Sequence, residues 1–455
     1  MAAADVLNLD SRPYSAKSGY NRPTFDAFFR DAEAALAAFR LRRGDGKTGL
    51  ETLTLFLVRD AYRRQDSGYN RREPEDDARV AGLLTDPATS RLKQLTIACE
   101  HHYDRQYSPP LASLPCAATL RVLELCHCYL QPTSTGGLAF PRLTDLTLRD
   151  CTLLEGYLQV LVDAAPALTG LELVDVNYKP LRPVERRSSL SDCFVLPIRL
   201  RCPTVTALVL RATDLDRDEL QTSTDVGIQL DMPSLRSFLY QGYPVKLSLT
   251  SPAPGLERVD LDDTCRKHYV VAAPRDLTSF SSTRVLKMRL SSVEDIVTNG
   301  AIFPNLELLE LDGQYGYGNS KTAEALVGLL RSCPAMSELR LSALELGEVS
   351  EIPAALANNC SFSCLESLRK ITLQFKSKEV NCLEVQLAKF LVENARLLEE
   401  MHIEDGIQFW PDHLRHKLPR WRAESFRRKN LSETASGFRV YQLANPVVDS
   451  KEQTW

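Results

Sequence analysis

A sextet with aliphatic residues at its first, fourth and sixth places, Leu-x-x-Leu-x-Leu, recurs along most of this chain. At Leu120 to Leu130 and at Leu143 to Leu153 it lengthens into Leu-x-x-Leu-x-Leu-x-x-Cys-x-Leu, the two copies 23 residues apart. Loose matches arise by chance in a chain that is 44% hydrophobic, so spacing has to carry the argument. Allowing single lapses, sextets begin at Leu50, Leu92, Leu120, Leu143, Leu168, Val205, Leu235, Leu256, Val285, Leu306, Met336, Leu368 and Leu398. Starts that fall about 29 residues apart on average mark one small structural unit repeated end to end. A unit of that size cannot bury its own apolar side, so neighbouring units must stack.

The joints between units are punctuated as well. Ala165-Pro166, Cys202-Pro203 and Cys333-Pro334 end short helical stretches, and Phe140-Pro141, Met232-Pro233 and Phe303-Pro304 occupy the same place in other units. Proline lacks an amide donor and crowds the preceding turn, so it resets the chain before the next strand. The expected fold is α/β: a curved leucine-rich-repeat solenoid with a parallel β-sheet on its concave face and helices or loops on its convex face. Its expected divisions are an N-terminal strand and capping helix (1–45), leucine-rich repeats (46–363), terminal repeats (364–404) and a C-terminal cap and tail (405–455).

A net charge of -4 provides no global field for nucleic acid or a membrane surface, and neither is expected as a partner. Met1 to Tyr20 contains no basic-then-apolar leader, and no uncharged apolar run reaches the roughly 20 residues that cross a bilayer. The expected location is therefore the cytoplasm or nucleus. The 12 cysteines sit singly inside repeats, a pattern of structural thiols, with Cys128 and Cys151 turned inward to satisfy backbone groups. Cys126-His127-Cys128 and Cys360-x-x-x-Cys364 lack a second pair at finger-like spacing, so no metal is expected.

The two ends depart from the repeat. Val6-Leu7-Asn8-Leu9-Asp10 reads as a strand already in register, and a chain that starts in mid-pattern looks cut. Thr24 should then cap a helix with Phe25, Phe28, Phe29, Ala32, Leu36 and Phe39 as its apolar stripe, stopped at Gly44. Near the other end, Trp410, Leu414 and Leu418 lie at helical spacing, Pro419 should break that helix, and Phe438 to Leu443 should add a last strand.

On these residues the chain resembles the plant F-box/leucine-rich-repeat proteins of the FBD type. The likeness rests on Val6 to Asp10, on Leu120 to Leu125 with Cys128, and on Phe140-Pro141-Arg142-Leu143 to Cys151-Thr152-Leu153. Cys364-Leu365-x-x-Leu368-x-x-Ile371-x-Leu373, Leu387-x-x-Phe390-Leu391-x-x-Asn394-Ala395 and Leu398-x-x-Met401 look like the closing FBD segment. The resemblance implies the substrate-recognition part of a Skp–cullin–F-box ubiquitin ligase and a protein substrate as partner. In the family an F-box precedes the first strand, and no such module stands before Val6. A Skp-type adaptor and cullin are implied as partners only if a longer product carries an F-box upstream. The alternative from another class is a non-ligase scaffold, decoy or inhibitor.

In each sextet the leucines face the core, and the third, fifth and seventh residues face outward on the sheet. Early units place Thr52, Thr54, Phe56, Gln94, Thr96, Val122 and Glu124 there; later ones are charged, with Arg258, Asp260, Lys287, Arg289, Glu310, Glu338 and Arg340 as the candidate protein-binding residues. The fifth-place column is expected to read Asp260, Arg289, Glu310, Arg340, Thr372, His402. Its alternating signs suit either a self-satisfied ladder or a ligand surface of both charges. The stretches 59–79, whose few apolar anchors favour a mobile loop, and 177–201, which carries Arg186-Arg187-Ser188-Ser189, are the other recognition candidates. Gly313 to Ser320 lacks the lysine of a phosphate loop and reads as an ordinary strand-to-helix turn. His101, His102, His127, His268, His402, His413 and His416 have no partner motif, so neither catalytic residue nor cofactor is expected.

Overall fold

A computed structural model of the chain describes residues 5–14, 22–43, 50–59, 74–101, 106–132, 137–179, 198–211, 227–242, 246–262, 275–290, 296–297, 300–313, 320–342, 363–375, 383–405, 411–429 and 438–443. Two compact units share it: Met1–Ser223 with Leu230–Leu235, and Thr224–Gln229 with Arg236–Trp455.

In the first unit the sextets become parallel strands, each beside the one before it. They are β1 (Val6–Asp10), β2 (Thr52–Arg59), β3 (Gln94–His101), β4 (Val122–Cys126), β5 (Asp145–Arg149), β6 (Gly170–Val174) and β7 (Ala207–Arg211). Equivalent leucines lie in register: Leu53, Leu95, Leu123, Leu146, Leu171 and Leu208 form one column, and Leu55, Ile97, Leu125, Leu148, Leu173 and Leu210 the next. None of these side chains is more than 5% exposed. Each buried aliphatic side chain contributes about 1.5–3 kcal/mol, and a one-residue slip would turn a whole column outward. The Leu column therefore fixes the register of every strand.

The second unit repeats this plan with β8 (Ser237–Gln241), β9 (Arg258–Asp262), β10 (Val285–Leu290), β11 (Leu308–Gly313), β12 (Glu338–Ser342), β13 (Lys370–Phe375), β14 (Glu400–Asp405) and β15 (Arg439–Leu443), all parallel. The two units are built as an α/β leucine-rich-repeat solenoid is built, each of these repeats giving one strand to the main sheet, while several add a short second strand. Tyr129–Leu130, Thr152–Leu154 and Asn177–Lys179 form one small sheet, Arg275–Asp276 pairs with Ile296–Val297, and Ile198–Arg201, Gly227–Asp231 and Lys246–Leu249 are further strands of this kind. Cys202-Pro203 thus follows a strand rather than the expected helical stretch.

One sextet is framed differently from its sequence reading. Leu286 pairs with Val259 and Met288 with Leu261, so the repeat begins at Thr283 rather than at Val285. Val285-x-x-Met288-x-Leu290 also fits the loose template, but only the Thr283 frame puts its apolar residues opposite those of both neighbours. Thr283 is 0% exposed, and its hydroxyl lies 3.1 Å from the carbonyls of Glu257 and Val285, which is how a polar residue is tolerated at an apolar place.

Three other expectations shift. Helix α1 (Arg22–Arg43) starts two residues before Thr24, with Pro23 in its first turn, where a missing amide costs nothing; Phe28, Phe29, Ala32 and Leu36 are buried as expected. The stretch 59–79 is not loop throughout, because helix α2 (Pro74–Leu84) begins inside it. Its first turn holds Asp76 and Asp77, the sign of charge a helix N-terminus favours. Residues 60–73 and 180–197 lie outside the described residues, as do Arg186, Ser188 and their neighbours. Further helices are α3 (Tyr157–Asp163), α4 (Ser320–Arg331) and α5 (Leu383–Asn394). The last, α6 (Pro411–Arg428), runs through Pro419 instead of breaking there. Pro419 sits on the exposed side of α6, while Leu418, Arg422, Ser425 and Phe426 form a buried stripe whose packing offsets the proline's tendency to end a helix.

Helix α6 closes the last repeats by supplying donors to the C-terminal carbonyls of α5. Arg422 Nη1 and Nη2 donate to the carbonyls of Ala395 and Arg396 at 2.9 Å each. Ser425 Oγ donates to Glu393 O at 3.1 Å, and Lys429 Nζ to the same carbonyl at 2.9 Å. Cations beside a helix C-terminus satisfy both its orphan acceptors and its dipole. Among the described residues, no helix is long and apolar enough to cross a membrane.

Candidate protein-binding face

The core consumes one side of each sheet and leaves the other as an open face of side chains at fixed pitch. In the second unit its middle row reads Leu239, Asp260, Lys287, Glu310, Arg340, Thr372, His402, Tyr441. The expected column is thus corrected: Lys287 occupies the fifth place, and Arg289 belongs to the seventh, between Asp262 and Asp312. The cause is the two-residue shift of frame at Thr283. All seven candidates, Arg258, Asp260, Lys287, Arg289, Glu310, Glu338 and Arg340, lie on this face.

Neighbouring strands about 4.8 Å apart bring opposite charges into contact. Lys287 Nζ is 2.8 Å from Glu310 Oε2, which Arg340 Nη1 approaches to 3.5 Å; Arg340 Nη2 reaches Glu338 at 2.8 Å, and Lys370 Nζ lies 3.5 Å from Glu338. Arg289 spans Asp262 at 3.5 Å and Asp312 at 3.0 Å, and Arg258 grips Asp260 at 2.8 Å. The Asp260 hydrogen bond pushes the Arg258 pKa above its ordinary value. The ladder reading is therefore realised. Each partly exposed pair stabilises the fold by about 0–1 kcal/mol, so its principal effect is to hold long side chains in place.

The first unit presents a different face. Its rows hold Asn8, Thr54, Thr96 and Thr147 in the middle, with Phe56 and Ala98 beside them; its charges concentrate at Arg149, which lies 3.6 Å from Glu124 and 3.2 Å from Glu172. At the N-terminal edge Arg12 stacks 4.2 Å over Phe56 and holds the Asp10 carboxyl below its usual range through their hydrogen bond. At the far end of the second unit His402 lies 3.1 Å from Glu400 and stacks on Tyr441 with ring centroids 4.9 Å apart. Such a histidine has its hydrogen bond and ring face occupied, an arrangement that orients it rather than frees it as a base.

The cysteines behave as packing groups. Cys151 Sγ lies 3.3 Å from the carbonyls of Leu125 and Arg149, and Cys128 Sγ lies 3.5 Å from Cys126 O. Hydrogen bonds with the Cys151 and Cys99 thiols, and then burial, push the Cys128 thiol well above its ordinary pKa. Burial, assisted by Glu124, raises Cys126 to about 12. Cys126 sits on the open face, His127 turns at a positive φ of 54°, and Cys128 is buried, so the three do not converge. Among the described residues no group of three or more metal-ligating side chains is assembled. Residues 314–319, which carry the glycine-rich turn, and Cys360 lie outside the described residues.

Sequence reasoning missed Arg211, whose column position follows from the Val205 sextet once register is known, and Arg422, whose role no periodicity signals.

Stacked parallel strands with inward leucines define a leucine-rich-repeat protein. A family model for the leucine-rich repeats of FBD-associated F-box protein At5g56370 matches residues 80–217. F-box/FBD/LRR-repeat protein At5g53840 of Arabidopsis thaliana is 24% identical over 280 residues, covering 56% of this chain and 61% of that protein. The chain thus spans less than two thirds of that relative's length. These similarities support an FBD-type plant leucine-rich-repeat protein, the resemblance already carried by the repeats.

Proposed function

We propose that this chain is a protein-binding module that presents a substrate protein to a Skp–cullin–F-box ubiquitin ligase, acting in the cytoplasm or nucleus. It makes and breaks no bonds itself; its contribution to ubiquitin transfer is proximity, which turns an encounter between two proteins into a step within one assembly. The observation that supports the reading is the open face of the second unit, where register holds Lys287, Glu310, Arg340 and Glu338 in fixed relation. A surface preorganised in this way loses little side-chain entropy on binding. The similarity to F-box/FBD/LRR-repeat proteins supplies the ligase context.

The test is affinity capture with the natural full-length product, scored for a Skp-type adaptor and for a client whose ubiquitination rises with it. Arg289→Ala and Arg340→Ala should each reduce client capture while leaving adaptor capture intact. Client capture that neither substitution changes would contradict recognition through this face, and a full-length product that captures clients without any adaptor would contradict the ligase role.

A further inference from the structure

Arginines on the open faces are matched, with one exception. Arg149 lies against Glu124 and Glu172, Arg258 against Asp260, Arg289 against Asp262 and Asp312, and Arg340 against Glu310 and Glu338, while Arg439 reaches the Tyr441 hydroxyl at 3.5 Å. Arg211 ends β7, where it alternates with buried Leu208 and Leu210 and therefore lies on the open face. Its backbone carbonyl accepts from the Asp175 amide at 2.8 Å. Its guanidinium, unlike those of Arg149, Arg258, Arg289, Arg340 and Arg439, meets neither a carboxylate nor a hydroxyl among the described residues, and its Nε, like that of Arg149, is buried without a hydrogen-bond partner.

We infer that Arg211 is the anchor for a carboxylate side chain of a protein partner. This rests on the reading of an open sheet face as the binding surface, extends it to the face of the first unit and names one contact there. A half-buried donor left unpaired is destabilising, and the planar guanidinium fork matches a carboxylate with two parallel N–H donors. The surroundings select the occupant further. Val174 stands opposite Arg211 in register and Val209 precedes it on the same face, both half-buried, so the incoming acid has apolar neighbours to lie against. Arg149, beyond Val174 in the same row, already lies against two carboxylates, Glu124 at 3.6 Å and Glu172 at 3.2 Å, which weakens its pull on an incoming acid. The Glu172 carboxylate on the adjoining strand disfavours a doubly charged phosphate more than a singly charged carboxylate. The occupant is thus an Asp or Glu side chain flanked by aliphatic residues on a partner's exposed segment.

An array of synthetic peptides tests this, each carrying one Glu between Val and Leu residues, with matched sets holding Gln or phosphoserine at the same place. The probe is the full chain, as wild type and as Arg211→Gln, Arg211→Lys and Arg289→Gln, with the unfolding midpoint of each variant measured in parallel. The expected result is retention of Glu peptides about tenfold above Gln peptides, loss of that preference in Arg211→Gln, and partial recovery in Arg211→Lys at unchanged midpoints. Equal or absent retention of the Glu and Gln sets, or a stronger response to phosphoserine, overturns the assignment. A Glu preference that survives Arg211→Gln but disappears in Arg289→Gln also overturns it, while leaving the open face as the binding surface. Insensitivity to both substitutions would sink the two readings together.

Discussion

Replacing Arg422 by Met should loosen the C-terminal end of the second unit far more than a surface arginine normally would. Arg422 is 4% exposed and lies 4.6 Å over the Phe426 ring and 5.0 Å from that of Phe438. Met retains much of the apolar stem, so the loss falls on the charged head, chiefly its two 2.9 Å hydrogen bonds to Ala395 O and Arg396 O together with its contacts over the two rings. A hydrogen bond from a charged donor contributes about 1.5–3 kcal/mol, and the two carbonyls left behind are poorly placed to recruit water. The expected cost is about 3–5 kcal/mol. In a stack of repeats that cost appears first as local opening of the end, not as global unfolding. Native-state hydrogen exchange should therefore show amides of Arg439–Leu443 and Leu383–Asn394 exchanging about a hundredfold faster or more, with β3 and β4 of the first unit unchanged. Acceleration of less than about threefold at the C-terminal end would refute the assignment of Arg422 as the bond between α5, α6 and β15.

Thr283→Val removes a buried hydroxyl that holds two carbonyls, and should lower stability by about 1 kcal/mol in urea unfolding; a neutral or stabilising outcome would contradict the frame shift at that repeat. Glu310→Gln takes the central anion from between Lys287 and Arg340 and should cost less than about 1 kcal/mol, with the difference from wild type shrinking in high salt; a larger, salt-independent loss would mean the ladder is more deeply buried than its partial exposure indicates. Burial raises the Cys116 thiol from 9.0 to about 11 and Cys126 to about 12, so the folded state binds these protons more tightly than the unfolded chain. That contribution is complete below pH 9 and is lost as pH rises toward 11 to 12, so the unfolding midpoint should fall over that window and less steeply in Cys116→Ala; an identical alkaline profile for the variant would contradict it.

Columns of leucine were legible because burial enforces them locally: a position filled by Leu53, Leu95 and Leu123 in successive units admits little else. The same logic explains the one misframed unit, since Thr283 meets the burial requirement through hydrogen bonds that a pattern of apolar letters does not encode. That error moved Lys287 and Arg289 between rows and altered which charges were expected to meet, although every candidate residue remained on the correct face. Helix boundaries were less legible for a related reason. Pro419 is a breaker by local sterics, yet the anchoring of Leu418, Arg422 and Phe426 on either side of it offsets that preference. Arg422 itself looked like one more basic residue in a basic tail, because its partners are backbone carbonyls about 26 positions away in sequence.

Register is the claim on which the face, the ladder and the proposed anchor all depend, and cysteine trapping reads it directly. Asp260→Cys paired with Lys287→Cys places two thiols opposite each other on strands about 4.8 Å apart, within disulfide reach, whereas Asp260→Cys with Arg289→Cys separates them by about 8 Å. Under mild oxidation, peptide mapping should find the first pair linked and the second reduced. Efficient linkage of the second pair with the first unlinked would restore the original frame and contradict the stacking described for the second unit.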